Sequence, residues 1–387
     1  MVVHAHYPVG ETRVQREALA LLDRGTDVDV LCLRGPDEPA REIVDGVAIR
    51  RLPVGRRRGR GLAWQLVEYL LFFLLASGAL TARHLRRRYH TVQVHNLPDF
   101  LVFCALVPKL TGAGVVLDLH DLMPDFMAAK RGRGMDDPLV RLVAWQERMA
   151  CRFADQVITV TSTWRGTLAA RSAPAEKIAV VMNLADPRFF TWSPRDRTEV
   201  RDTWQLVYHG TLTDRYGVDV LLRAVHKVVA DIPEIHVNVL GDGDAREDLV
   251  GLAAELGLAG VVSFSDGMLE VSELTEAIRD ADIGIVPNRA DIFTDGLLPT
   301  KLLEYVAVGT PVLAARTRGI AAEFDDASVA FFAPGDAESL ADCLRSLHRE
   351  RGRLNELSQA ASGFAGRHQW TAEADAYCSL VRTAGSA

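Results

Sequence analysis

The sequence predicts an α/β protein of two doubly wound domains that face each other across a cleft. Three observations lead there. The chain has 387 residues, more than one ordinary core accommodates. Short apolar runs alternate with longer helical patterns along its length, the mark of βαβ units and parallel sheets covered on both faces. The alternation stops at a polar, proline-bearing segment and then starts again.

The first series of apolar runs reads as strands at Val2–His6, Val28–Leu33, Val47–Leu52, Val92–His95, Val115–His120, Val157–Thr161 and Ile178–Met182, with helical stretches such as Arg13–Arg24 and Pro138–Phe153 between them. The segment Asn183–Arg197 lacks a clear period and carries Pro187 and Pro194, so it is expected to be a linker. The second series places strands at Leu206–His209, His236–Leu240, Val261–Phe264, Ile283–Val286, Val312–Ala315 and Val329–Phe332. Helices at Val218–Val229, Ala245–Leu256, Glu270–Arg279 and Thr300–Val308 separate them. The expected domains are therefore 1–185 and 190–365. A last helix, Thr371–Thr383, lies in segment 366–387 and is expected to return to the first domain. No short repeat or low-complexity tract interrupts this plan.

Composition narrows the function classes. The chain is 48% hydrophobic and 25% charged, as soluble globular chains are, and its formal net charge of −7 argues against general nucleic-acid binding. Cys32, Cys104, Cys151, Cys343 and Cys378 are scattered without a Cys-x-x-Cys pair, so reduced thiols are expected rather than a disulfide framework or metal site. Met1 is followed at once by a strand and a turn, with no signal-peptide pattern. Residues 62–82 are very apolar, but Gln65 and Glu68 leave a pure apolar run shorter than the ~18 residues of a membrane span. Arg56, Arg57, Arg58 and Arg60 precede this stretch, and Arg83, Arg86, Arg87 and Arg88 follow it. Two readings stand: a buried helix with solvated basic ends, or a helix lying in an anionic membrane surface with Trp64 and Tyr69 at headgroup level.

In open parallel sheets ligands bind beyond the carboxyl ends of the strands. Strand one runs into Tyr7-Pro8-Val9-Gly10, where a glycine permits close backbone approach at a helix entrance; this is not the G-x-G-x-x-G of dinucleotide folds. His120, in Asp118-Leu119-His120-Asp121, ends a strand between two carboxylates. Asn96 and Asp99 end the preceding strand, where loop capping accounts for them equally well. In the second series, Gly210 and Gly217 bracket a polar loop carrying Thr211 and Arg215, and Gly241-Asp242-Gly243 forms another tight turn. Two glycine turns at neighbouring strand ends point to a shared anion pocket.

The stretch Asp295-Gly-Leu-Leu-Pro-Thr-Lys-Leu-Leu-Glu304 carries the sharpest signal. A helix starting at Pro299 or Thr300 offers free N–H groups and the positive end of its dipole to a phosphate, and Lys301 adds a full charge. Glu304 lies four residues after Thr300, one too many for a capping box. A carboxylate can instead take both hydroxyls of a ribose. Lysine and glutamate together thus read as a nucleotide clamp, against the simpler alternative of a first-turn glutamate complementing the dipole.

At these residues the chain resembles the GT-B glycosyltransferases, and within them family 4, retaining enzymes that use nucleotide-diphosphate sugars. The likeness rests on Tyr208-His-Gly-Thr-Leu, Gly241-Asp-Gly, Pro299-Thr-Lys-Leu-Leu-Glu-Tyr-Val-Ala-Val-Gly-Thr-Pro-Val and Asn183…Asp186…Phe189. It implies two Rossmann-like domains, with Glu304 on the donor ribose and Lys301, Thr300, Pro299 and the backbone near Leu298 on the diphosphate. It also implies His120 beside the donor sugar and Gly10 closing over the phosphates. Family members usually carry an acid where this chain has Gly296, with Asp295 adjacent. They also carry an arginine and a lysine where it has Thr211 and Tyr216, which leaves Arg215 and Lys301 to neutralise the diphosphate. The catalytic candidates are His120, Arg215 and Lys301, and the acceptor-side candidates are Arg13, Asn96, Asp99 and Asp121. The resemblance implies no metal or cofactor. It also implies front-face attack by an acceptor hydroxyl. The basic, apolar region 55–88 suggests a lipid-linked acceptor and cytoplasmic action peripheral to the membrane, with a small-molecule acceptor as the other case. The alternatives are a sugar-nucleotide 2-epimerase and a non-catalytic nucleotide-sugar-binding subunit; a dehydrogenase is a poor third.

Overall fold

A computed structural model describes residues 1–8, 11–55, 61–193, 195–199 and 201–385; Gly10 and Arg56, Arg57, Arg58 and Arg60 lie outside the described residues. Internal contacts divide the chain into two units, Met1–Asn183 with Thr371–Ala387, and Leu184–Trp370.

The first unit contains, in order, α1 (Thr12–Asp23), β1 (Asp29–Leu33), β2 (Arg41–Val44), β3 (Val47–Leu52), α2 (Gly61–Arg87), β4 (Thr91–His95), α3 (Leu106–Leu110), β5 (Gly114–Leu119), α4 (Met123–Arg131), α5 (Pro138–Phe153), β6 (Gln156–Thr159), α6 (Ser162–Arg171) and β7 (Ile178–Val180). Val2 pairs in parallel with both Leu31 of β1 and Val94 of β4, so the opening residues join β2-β3-β1 to β4-β5-β6-β7 in one sheet. Only this short ladder forms where a strand at Val2–His6 was expected. β2, which the apolar pattern did not reveal, is antiparallel to β3 and exposed along most of its length. The turn between them is Asp45-Gly46, both at positive φ (51° and 84°), the backbone that a two-residue hairpin demands.

The second unit contains β8 (Trp204–His209), α7 (Val218–Val228), β9 (Ile235–Leu240), α8 (Arg246–Glu255), β10 (Val262–Phe264), α9 (Val271–Asp280), β11 (Ile283–Val286), α10 (Thr300–Val308), β12 (Val312–Ala315), α11 (Arg318–Ala321), β13 (Ala330–Phe332), α12 (Ala337–Arg349) and α13 (Gly352–Arg367). Its sheet runs β10-β9-β8-β11-β12-β13, parallel throughout, so the strand order reverses between β8 and β11. That reversal opens a crevice at the carboxyl ends, where doubly wound sheets bind ligands. α7 shows how the sequence builds the layer. Val218, Leu221, Leu222, Val225 and Val228 recur at helical spacing, and all are buried with Leu340, Leu344 and Leu347 of α12 in the unit's core. Burial of each such side chain contributes about 1.5–3 kcal/mol.

One expectation changes. Asn183–Arg197 is not a free linker: the Ser193 N–H donates to the Val308 carbonyl (3.1 Å), Arg195 pairs with Asp282, Arg197 is 2% exposed, and Trp192 packs on Gly309. Its missing period reflects irregular backbone held by side-chain anchors. The final helix, α14 (Trp370–Ala384), belongs almost entirely to the first unit, where Tyr377 donates to Gln93 (2.5 Å) and the Val381 carbonyl accepts from Thr91 (2.7 Å).

α2 is one continuous helix, long and apolar enough by length and composition to cross a membrane. Glu68, Phe72, Ala76, Leu80 and His84 form a buried line on it. The opposite line, Val67, Leu70, Leu71 and Leu74, is 45–65% exposed.

Candidate active site

The crevice of the second unit forms where β8 ends. Its last residues, Tyr208 and His209, are buried, and Gly210 turns the chain at φ 112°. The Gly210 N–H donates to the Leu240 carbonyl and the Leu212 N–H to the Asp242 carbonyl, each at 2.9 Å. The two glycine turns are thereby laid against each other: a Cβ on Gly241 would overlap the Gly210 carbonyl oxygen. Backbone packing accounts for Gly241 directly. Gly217, at φ 67°, is pressed in the same way onto the Pro287 carbonyl that follows β11.

α10 enters this crevice. Pro299 stands at its N-cap in an extended conformation, Thr300 is its first residue, and no side chain caps it. Gly309, left-handed at φ 85°, ends the helix and lets the chain turn into β12. From the first turn, Lys301 reaches under β8 and donates to the Tyr208 hydroxyl at 2.9 Å. Burial pulls the Lys301 ammonium down to about 7, with the Glu304 carboxylate opposing. Glu304 Oε2 lies 3.1 Å from His209 Nε2 without the alignment of a hydrogen bond. Burial, helped by the Lys301 charge, holds His209 down to about 3, so this imidazole is neutral. Its ring stands edge-on to Tyr305, 5.1 Å between centres.

The other donor-side candidates are placed as follows. Arg215 lies over the Phe293 ring (5.7 Å), and its carbonyl accepts from the Arg289 N–H (3.0 Å). Thr211 is exposed, and its carbonyl accepts the Tyr208 hydroxyl proton. Asp295 accepts from the Arg318 N–H at 3.0 Å and pairs with the Arg318 guanidinium, so it opens α11. Gly296 lies against Gly319 at that start, and Leu298 is buried. Sequence reasoning passed over His209, Tyr208 and Tyr216 as partners of the clamp. The strand-end rule points to His209, but nothing in the local pattern announces a tyrosine pair around a lysine.

The first unit is built differently. Arg13 is 7% exposed, and its guanidinium is fully engaged. Nε and Nη2 donate to the two Asp118 oxygens (2.8 and 3.0 Å), and Nη1 donates to the Val181 carbonyl and Asn183 Oδ1. An acceptor could use it only by breaking these bonds; its evident work is to tie α1 to β5. Burial pushes Asp118 up, but Arg13 and the 3.0 Å contact with His95 outweigh it and hold the carboxyl well below the usual range. His95, Asp118 and His120 converge as metal ligands might, yet Arg13 already occupies both carboxylate oxygens. His120 is pulled to about 4 by burial, against the attraction of Asp118, and is neutral. Asn96 donates to Asp99 (3.0 Å) and to the Asp121 carbonyl (2.6 Å) and accepts from the His120 N–H (3.2 Å), joining the ends of β4 and β5. Asp99 is fully buried, and burial, with Glu147 nearby, raises it to about 7.

Known proteins complete the picture. The family described as "Glycosyl transferase 4-like domain" matches residues 10–183, and that described as "Glycosyl transferases group 1" matches residues 204–350. The chain is 27% identical to the D-inositol 3-phosphate glycosyltransferase of Rhodococcus jostii, across 96% of this chain and 83% of the relative. It is also 27% identical to a sulfoquinovosyl transferase of Arabidopsis thaliana, across 71% and 53%. Its fold is similar to sucrose-phosphate synthase from Thermosynechococcus elongatus (TM-score 0.79, 18% identity, 99% of this chain and 98% of that one). It is likewise similar to Anabaena HepE in complex with UDP-glucose (TM-score 0.73, 15% identity, 99% and 98%). The chain belongs to the GT-B glycosyltransferases of the family 4 type and is a glycosyltransferase.

Proposed function

We propose that the enzyme transfers its sugar with retention of anomeric configuration, and that the donor's nucleoside diphosphate sits in the crevice of the second unit. One observation carries the donor placement: Lys301 and Glu304, one turn apart on α10, meet the end of β8 beside Gly210 at the point where strand order reverses. Retention follows from the family resemblance. Glu304 takes the ribose hydroxyls, and Lys301 with the start of α10 takes the diphosphate, with Arg215 as the further cation. When the anomeric C–O bond breaks, negative charge grows on the departing diphosphate, and fixed positive groups stabilise it there. The acceptor hydroxyl attacks the same face. Its oxygen bonds to the anomeric carbon, its proton passes to the leaving phosphate oxygen, and nucleoside diphosphate departs. His120, neutral, serves as a hydrogen-bonding group for the sugar rather than as a charge. Asp295, engaged by Arg318, orients a sugar hydroxyl through the oxygen lone pairs left to it.

The acceptor is presented at an anionic membrane surface, with the enzyme peripheral on its inner face. The support is α2: its outward line is apolar, and Arg86, Arg87 and Arg88 at its end are exposed. Relatives named for D-inositol 3-phosphate leave a soluble acceptor as the competing case.

A thermal-shift screen with nucleoside diphosphates and their sugars tests the donor site, since a ligand that binds the native state raises the melting temperature. Proton NMR of the product then reads the anomeric configuration; an inverted product defeats the retaining assignment. A new sugar isomer formed without acceptor would signal epimerase chemistry. Co-sedimentation with anionic and neutral vesicles tests the surface, and absence of pelleting with either defeats it.

A further inference from the structure

Lys301 occupies a seat that the donor chemistry alone does not explain. Its ammonium nitrogen lies 4.0 Å from the centre of the Tyr208 ring and 4.8 Å from that of Tyr216. It donates to the Tyr208 hydroxyl at 2.9 Å, and that hydroxyl donates in turn to the Thr211 carbonyl at 2.9 Å. Because the phenol proton is committed to Thr211, the oxygen lone pairs face the lysine. Gly210 closes another side: a Cβ there would come within 3.4 Å of Lys301 Cε. The side chain is 7% exposed.

An aromatic face attracts a cation without adding charge of its own. We propose that Tyr216 is a positioning residue that, with Tyr208, seats the Lys301 ammonium at the diphosphate subsite, and that diphosphate binding draws a proton from solvent onto Lys301. This rests on the donor assignment above. A vacant crevice tolerates a neutral lysine, whereas a bound diphosphate favours the charged one, so binding and protonation are linked. The groups facing Lys301 are Glu304 from its own helix, Tyr208 and His209 from β8, and Tyr216 from the following turn. His209 is held near 3, and burial pushes Tyr208 far up. Neither changes charge between pH 6 and 9; Lys301, brought to about 7 by burial, does.

Calorimetric titration of UDP, GDP and ADP from pH 6 to 9, in buffers of different ionisation enthalpy, tests this. For the nucleotide that binds, affinity is expected to hold below about pH 7 and to fall roughly tenfold per pH unit between pH 8 and 9. Nearly one proton is taken up per nucleotide at the upper end. Lys301→Arg, permanently charged, abolishes the slope. Tyr216→Leu moves the onset of the fall to lower pH while affinity at pH 6 stays near that of the parent, and Tyr216→Phe restores the onset. A merely structural role for Tyr216 would weaken binding equally at every pH. Wild-type affinity that is flat from pH 6 to 9, or an onset unmoved in Tyr216→Leu, overturns the proposal and leaves the nucleotide site standing. No heat at any pH removes the donor site and the proposal with it.

Discussion

Both units are doubly wound, and both place polar residues at the carboxyl ends of their strands, yet these residues do different work. In the first unit they bond to one another. Arg13 spans Asp118, Val181 and Asn183, and Asn96 bolts Asp99 to the Asp121 backbone. In the second unit Lys301 and Glu304 converge on a crevice edged by glycine backbone, with a neutral His209 and two tyrosine faces beside them. A charged residue at a strand end is therefore a weak sign of a ligand until its own hydrogen bonds are known. A charged residue whose pattern breaks a local rule, as Glu304 breaks the capping box, is a stronger one.

The largest expected effect tests the second unit. Lys301→Met should lower kcat/KM by roughly 10²–10³-fold, the cost of losing one preorganised charge at a leaving group, with the melting temperature little changed or raised. The first unit should respond the other way. Asp118→Asn removes the bidentate carboxylate from the buried Arg13 and leaves only Glu17, 3.2 Å away, as counter-charge; breaking this buried pair costs up to about 3–5 kcal/mol and lowers the melting temperature by up to roughly 6–20 °C, read by calorimetry. A stable Asp118→Asn enzyme with its turnover abolished would erase the contrast.

A pH series sharpens it. Asp99 has a folded value of about 7, raised by burial above the ordinary 3.8, so it contributes stability that is present below about pH 4 and lost as pH rises towards 7. His209, depressed from 6.5 to about 3, does the reverse: the folded chain resists protonation there, and stability declines as pH falls from 6.5 towards 3. Asp99→Asn should therefore flatten the loss between pH 4 and 7, and His209→Asn should flatten the loss below pH 6. Melting temperatures of the variants against the parent across this range read both. The smallest effect belongs to α2. Leu70→Ser with Leu74→Ser, both at exposed positions, should change stability by no more than about 0.5 kcal/mol each while reducing pelleting with anionic vesicles.

Much of this was legible in the residues. The apolar runs at Ile283–Val286 and Val312–Ala315 are strands with those bounds, because buried parallel strands need an unbroken apolar face; Val47–Leu52 also keeps its bounds, although Arg50 and Arg51 interrupt it. β2 escaped because Arg41-Glu-Ile-Val is an exposed edge with little to bury; its signal was the Asp45-Gly46 turn, a local cue of backbone handedness rather than hydrophobicity. The lysine and glutamate of α10 stood out because one contiguous helix start carries both. The tyrosine seat of Lys301 did not, since Tyr208 and Tyr216 reach it from β8 and the following turn, and that encounter is decided by the sheet. Arg13 and Asp118, 105 residues apart, pair for the same reason.

The central claim is that Glu304 holds the ribose of a nucleotide whose diphosphate lies on Lys301. A double-mutant cycle measures it directly: calorimetric titration of a nucleoside diphosphate and its 2′,3′-dideoxy counterpart into the parent enzyme and into Glu304→Ala. Loss of the diol should weaken binding to the parent by about tenfold or more and cause no further loss in the variant. Equal losses in both proteins would contradict the account.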